Sequence, residues 1–111
     1  MQLTTDQTEV TRLLESGTMS KKEAYSHPYR NLIYSAIGSH KELIVQSISF
    51  DLALRDRIVI ATDGIYSVIT KKKMRDLSQP SEDFSDFCER LVISAQESNP
   101  TDNYTFVALE I

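Results

Sequence analysis

The chain has one cysteine, three glycines and no apolar run of membrane-spanning length, and each scarcity excludes something. Cys88 has no second cysteine to pair with, so no internal disulfide can staple the fold. A reducing, cytoplasmic location suits that composition. Gly17, Gly38 and Gly64 stand far apart, and no glycine-rich loop is present to cradle a phosphate. Neither a Ser/His/Asp triad nor a zinc-ligand spacing occurs. The opening Met1-Gln2-Leu3-Thr4-Thr5-Asp6 lacks a basic region followed by an apolar core, so no signal peptide is expected. No membrane span is expected either. A net charge of −4 argues against a general nucleic-acid binder.

What is present suits a globular domain. At 111 residues, 41% hydrophobic and 25% charged, the chain is long enough to bury a core without disulfides. Residues 1–111 are expected to form a single domain. Asp6-Gln7-Thr8-Glu9 has the form of a capping box, with Val10, Leu13 and Leu14 following at helical spacing and Gly17 as the stop. Ser20-Lys21-Lys22-Glu23 is a second capping box, and His27-Pro28 breaks the short helix it opens. Tyr29, Leu32, Ile33, Ala36 and Ile37 predict a third helix that ends at Gly38.

The pattern then changes period. Residues 43–54 alternate, with Ile44, Ile48, Phe50 and Leu52 on one face, which predicts a strand. Arg55-Asp56 is a polar turn, and residues 57–62 form a short strand apolar on both faces. A helix is expected over 70–77. An amphipathic helix follows Ser81, with Phe84, Phe87, Cys88, Leu91, Val92 and Ala95 at three- and four-residue steps. Asn99-Pro100 is a turn. A last strand covers 104–111, with Tyr104, Phe106 and Ala108 on one face and Val107, Leu109 and Ile111 on the other. A strand apolar on both sides needs cover on both sides. The helices can cover one side. Self-association or a protein partner is expected to cover the second.

Two acidic turns carry the functional signal. Asp63-Gly64 directly follows Ile58-Val59-Ile60-Ala61, and Asp102-Asn103 directly precedes the last strand. Each places a carboxylate at a strand end, where side chains can converge on a cation. Aspartate beside glycine or asparagine is also an ordinary turn residue, and spacing alone favours that plainer reading.

In their order along the chain, these blocks resemble the C-terminal half of the type 2C metal-dependent serine/threonine protein phosphatases, the PPM family. Leu3-Thr4-Thr5-Asp6-Gln7 is similar to the family's leucine-threonine-x-aspartate-histidine segment, with Gln7 in the histidine's place. His27-Pro28-Tyr29-Arg30-Asn31, followed by Ala36-Ile37-Gly38, is similar to its histidine-proline-x-arginine-asparagine segment and alanine-leucine-glycine ending. Residues 57–66 resemble the strand that ends in aspartate-glycine-leucine. Thr101-Asp102-Asn103-Tyr104-Thr105 resembles the aspartate-asparagine-x-threonine block. Departures are equally plain. Ser67 stands where many members carry a second acidic residue, and the glycine usual just before Asp56 is absent.

The resemblance implies an α+β fold: a small, mainly antiparallel sheet with helices packed on one face, half of the type 2C sandwich. It implies Asp63 and Asp102 as ligands of one divalent ion, manganese or magnesium, with Gly64 and Asn103 beside the site. Two aspartates plus waters would hold such an ion weakly if at all. The family's catalytic domain is more than twice this length. Its N-terminal half supplies an early acidic residue, a metal-bridging aspartate and a phosphate-holding arginine, and nothing here matches them. A truncated domain is therefore expected. It would act either as a non-catalytic binding or regulatory module or as a metal-ligand-contributing part of a phosphatase completed by another chain or the missing half.

Other chemistry-bearing residues have plainer readings. His27 is expected to make a capping or buried hydrogen bond. His40 is expected to be solvated and Arg30 to form a structural ion pair. Lys71-Lys72-Lys73 is expected to be a solvated helix start, and Cys88 a core residue.

Overall fold

The computed structural model describes residues 1–40, 42–79 and 83–111. The chain divides into two compact units, Gln2–Ser49 and Phe50–Ile111.

In the first unit the opening helix, α1 (Glu9–Glu15), starts at Thr8 rather than at Asp6. Thr8 Oγ1 accepts the Thr11 amide at 3.3 Å. Asp6 instead accepts a bond from Gln2 Nε2. Pairing with a distant segment of the same unit explains the later start. The Glu9 amide donates to the Leu32 carbonyl at 2.9 Å, the Tyr34 amide to the Gln7 carbonyl at 3.0 Å, and Thr8 and Ile33 form a β-bridge. These bonds hold the chain extended up to Thr8. The end of α1 is as expected. Gly17 takes a φ of +71°, its amide bonds the Leu14 carbonyl, and the Thr18 amide bonds that of Leu13. This is the paired C-terminal closure that favours glycine.

The second helix, α2 (Lys21–Ser26), carries the full reciprocal capping box of Ser20 and Glu23. Its C-cap is His27, whose extended backbone ends the helix as the His27-Pro28 step predicts. The predicted third helix is absent. Residues 28–31 make a turn, with the Arg30 amide on the His27 carbonyl and the Leu32 amide on the Tyr29 carbonyl. The Thr8–Ile33 bridge then claims the backbone that a helix would have used. An apolar stripe at helical spacing does not outweigh competing extended pairing, since short helices are marginal without tertiary support.

No strand forms over 43–54 among the described residues. The segment is extended in pattern only. The Ile44 amide donates to Ser35 Oγ, and its carbonyl accepts from Gln7 Nε2. These are side-chain bonds, and a strand exists only as part of a ladder.

The second unit follows the sequence closely. The Arg55-Asp56 turn leads into β1 (Arg57–Ala61), which pairs antiparallel with β2 (Phe106–Glu110) in the register Arg57↔Glu110 to Ala61↔Phe106. Between them lie α3 (Asp63–Tyr66), α4 (Lys71–Ser78) and α5 (Phe84–Glu97). Thr70 caps α4 as expected for a helix starting there. The cap of α5 is Asp83; Ser81 lies outside the described residues. Asn99 adopts φ +48° after α5, a left-handed turn that asparagine tolerates.

One face of the two-stranded sheet is covered. Val59, Ala61, Phe106 and Ala108 pack on a core of Ile65, Ile69, Phe87, Leu91 and Ala95. Phe87, Leu91 and Ala95 repeat every four residues, so α5 lays one stripe on the sheet. Cys88 packs against that core, as its place on the stripe predicts. Arg57 belongs to the covered face at its margin. It pairs with Glu110 at 2.7 Å, donates to the Ser78 carbonyl at 2.9 Å and lies over the Phe87 ring. The opposite face is open in this chain: Ile60 is 64% exposed and Val107 56%. The architecture is thus α+β, an antiparallel pair with helices on one side.

Candidate metal centre

Antiparallel pairing decides where the two acidic turns meet. The last ladder pair is Ala61↔Phe106, and the Thr62 amide extends it by donating to the Thr105 carbonyl at 3.0 Å. Chain leaving β1 and chain arriving at β2 therefore share one end of the sheet. Asp63 is the first residue of α3, one step past Thr62, and Asp102 lies three residues before Thr105. The sequence contains both strands and both acidic turns. It contains α3 less visibly, because a single turn of helix has no periodicity to detect.

Gly64 shows how tightly the two turns approach. It is buried, and a Cβ there would collide with the Asn103 carbonyl oxygen and lie 3.0 Å from both the Asn103 carbonyl carbon and Tyr104 Cβ. Glycine is required by this close backbone approach, not by an unusual φ. Asp63-Gly64 and Asp102-Asn103 are thus neighbouring surfaces.

Both carboxylates are exposed, and neither takes part in an ion pair among the described residues. Asp102 Oδ1 accepts the Asn103 amide at 2.7 Å, which orders its turn. Thr62 and Thr105 complete the frame. Thr62 Oγ1 accepts the Thr105 amide at 3.0 Å and lies 3.3 Å from the Thr105 carbonyl. Reading the sequence alone misses this pair. The sequence shows Thr62 directly before Asp63, and Thr105 as the threonine of the aspartate-asparagine-x-threonine block, but not that the two meet.

The donor set suits a hard divalent cation in type: exposed carboxylate oxygens at the end of a sheet. In number it is small. Among the described residues, no group of three or more His, Cys, Asp or Glu side chains gathers around one point. Two aspartates with waters can hold one ion; a two-ion centre needs ligands beyond these.

The remaining candidates lie elsewhere. His27 Nδ1 accepts the Tyr29 amide at 3.2 Å, an exposed hydrogen bond in the turn rather than the buried one its position suggested. Arg30 is exposed and in no ion pair among the described residues, contrary to the ion pair expected from its position. His40 is exposed, as are Lys71, Lys72 and Lys73 in the first turn of α4.

No protein-family model matches the chain. It is 31% identical over 104 residues to the protein phosphatase PhpP of Streptococcus pneumoniae, covering 94% of this chain and 42% of that protein. It is 26% identical over 109 residues to the serine/threonine phosphatase Stp of Listeria welshimeri, covering 98% and 43%. In three dimensions it superposes on the serine/threonine phosphatase Stp1 of Staphylococcus aureus with a TM-score of 0.88 and 25% identity. That match covers all of this chain and 44% of the other. The chain spans less than half the length of the curated relatives it matches. Its homologues and structural neighbours are PPM-family serine/threonine phosphatases, and the chain corresponds to their C-terminal half.

Proposed function

We propose that this chain supplies one part of a divalent-metal site in a serine/threonine phosphoprotein phosphatase. Asp63 and Asp102 are the ligands it brings, with Gly64 and Asn103 shaping the approach between them. The observation that carries the reading is the shared end of the β1–β2 ladder, where Gly64 is pressed against Asn103. Magnesium or manganese bound there would supply a polarised, more acidic water and neutralise phosphate oxygens. Antiparallel pairing brings both acidic turns to the same end of the sheet, and both carboxylates are open to solvent.

The test is a thermal melt with and without manganese. A ligand of the native state raises the melting temperature by mass action. A rise at millimolar manganese that Asp63→Ala abolishes supports the reading. No response in the unaltered chain counts heavily against it.

A second reading is a binding or regulatory module that keeps the phosphatase scaffold without its activity. The two-carboxylate donor set favours it for the chain acting alone. Both readings need a second protein layer. Ile60, Val107, Leu109 and Ile111 form an aliphatic surface that water would otherwise cover. A second copy or another chain packs there. Light scattering at micromolar concentration separates the two, since a monodisperse monomer rules out the second copy. Cytoplasmic residence accords with the lone Cys88. Among the described residues no helix is long and apolar enough to cross a membrane.

A further inference from the structure

Thr62 occupies an N-cap position but does not cap. It immediately precedes α3 with an extended backbone, the place where a threonine hydroxyl ordinarily accepts an amide from the helix's first turn, and no such bond is made. Its hydroxyl is turned across the sheet end instead. It accepts the Thr105 amide at 3.0 Å and is 3.3 Å from the Thr105 carbonyl, while the Thr62 amide donates to that same carbonyl at 3.0 Å. The residues just past β1 and just before β2 are therefore joined through backbone and side chain together. One adjoins Asp63; the other lies three residues past Asp102.

We infer that Thr62 is a positioning residue: its hydroxyl latches the exit of β1 to the start of β2 and so fixes the relative placement of the Asp63 and Asp102 turns. The physical case rests on what the ladder leaves undone. Regular pairing ends at Ala61↔Phe106. Beyond it, single backbone bonds fray easily where both strands are exposed, as Thr62 and Thr105 are. The Gly64–Asn103 approach requires the two turns to stay in register, because backbone against backbone has no side-chain slack. A second bond at the ladder's end resists that fraying. The same position also explains why a cap is forgone: α3 is one turn long and is held by the burial of Ile65 in the core. The link to metal binding rests on the function proposed above; the latch itself does not.

Thr62→Val keeps the branched shape and removes the hydroxyl, and Thr62→Ser keeps the hydroxyl. In hydrogen-exchange NMR, Thr62→Val is expected to speed exchange of the Thr105 amide about fivefold, the scale of one lost hydrogen bond. The Ile58 and Leu109 amides, a hydrogen-bonded pair deeper in the ladder, keep their protection, and Thr62→Ser restores Thr105. Manganese titration of the same variants is expected to show about tenfold weaker binding for Thr62→Val, the scale on which groups supporting metal ligands act, and near-normal binding for Thr62→Ser. Unchanged Thr105 exchange in Thr62→Val overturns the latch. Faster exchange with undiminished manganese affinity overturns the positioning role. If the unaltered chain binds no manganese, the metal reading fails, and the exchange comparison alone decides whether Thr62 holds the two turns.

Discussion

The two units of the chain were equally patterned in sequence and are held by different physics. In Phe50–Ile111, a stripe on α5 meets the inner face of β1 and β2, and five side chains become fully enclosed: Ile65, Ile69, Phe87, Leu91 and Ala95. Among the described residues of Gln2–Ser49 the buried apolar side chains are Val10 and Ala24, and order comes from caps, a β-bridge and side-chain bonds to the backbone. A pattern of apolar residues specifies structure where a complementary surface receives it. Where no surface does, local hydrogen bonding decides.

The sharpest way to break that contrast is to hollow out the core. Phe87→Ala removes a ring that is 1% exposed and lies under the Arg57 guanidinium. It is expected to cost about 3–5 kcal/mol, read by denaturant unfolding. A loss below about 1 kcal/mol would mean that the second unit does not depend on its core as described.

A smaller effect, opposite in sign, is expected at the turn into β1. Arg55 adopts φ +70°, at the position just before Asp56 where the resembled family usually has glycine. Its backbone is tied there, since the Arg55 amide donates to the Ile111 carbonyl at 2.8 Å. A left-handed conformation costs an ordinary residue roughly 1–2 kcal/mol, and glycine's extra unfolded-state freedom returns roughly 0.5–1 kcal/mol of that. Arg55→Gly should therefore stabilise the unit slightly, by up to about 1 kcal/mol in the same measurement. Destabilisation would show that the Arg55 side chain contributes more than its backbone strain costs.

The smallest effect belongs to the first unit and is a pH dependence. Bonds from the Ser20 side chain, and then the Ser20 amide, hold the Glu23 carboxyl below its ordinary value of 4.5. A lowered folded-state value means the folded form holds its proton less tightly. The contribution is complete above the unfolded value and is lost as pH falls through the folded one. Helix content in α2 should thus decline on acidification below about pH 4.5 in the unaltered chain. In Ser20→Ala that segment's acid response should flatten, as followed by residue-resolved NMR shifts. An identical acid response in both proteins would remove the capping box as the source.

Legibility followed the same divide. The α5 stripe, the Ser20–Glu23 box, the Gly17 stop and both short strands could be read directly because each is a local pattern with a local consequence. The helix expected around residues 29–37 failed because Glu9 and Tyr34 use their amides to pair distant segments, which no window of neighbouring residues reveals. The strand expected over 43–54 failed because alternation supplies a face but not a ladder partner. At the site, Asp63 and Asp102 were visible as acidic turns beside strands. The collision that a Cβ on Gly64 would make with Asn103, and the diverted hydroxyl of Thr62, were not.

Residue order alone settled β1, α4, α5 and β2 as elements and which carboxylates stand at strand ends, because burial periodicity and turn chemistry act over a few neighbouring positions. Bringing Asp63 and Asp102 to the same end of one sheet took the antiparallel register, a property of two segments separated by some forty residues. Which apolar face became core was settled in the same way. Val59 and Val107 are alike in chemistry, and they differ in burial because α5 packs across one side of the ladder and leaves the other open.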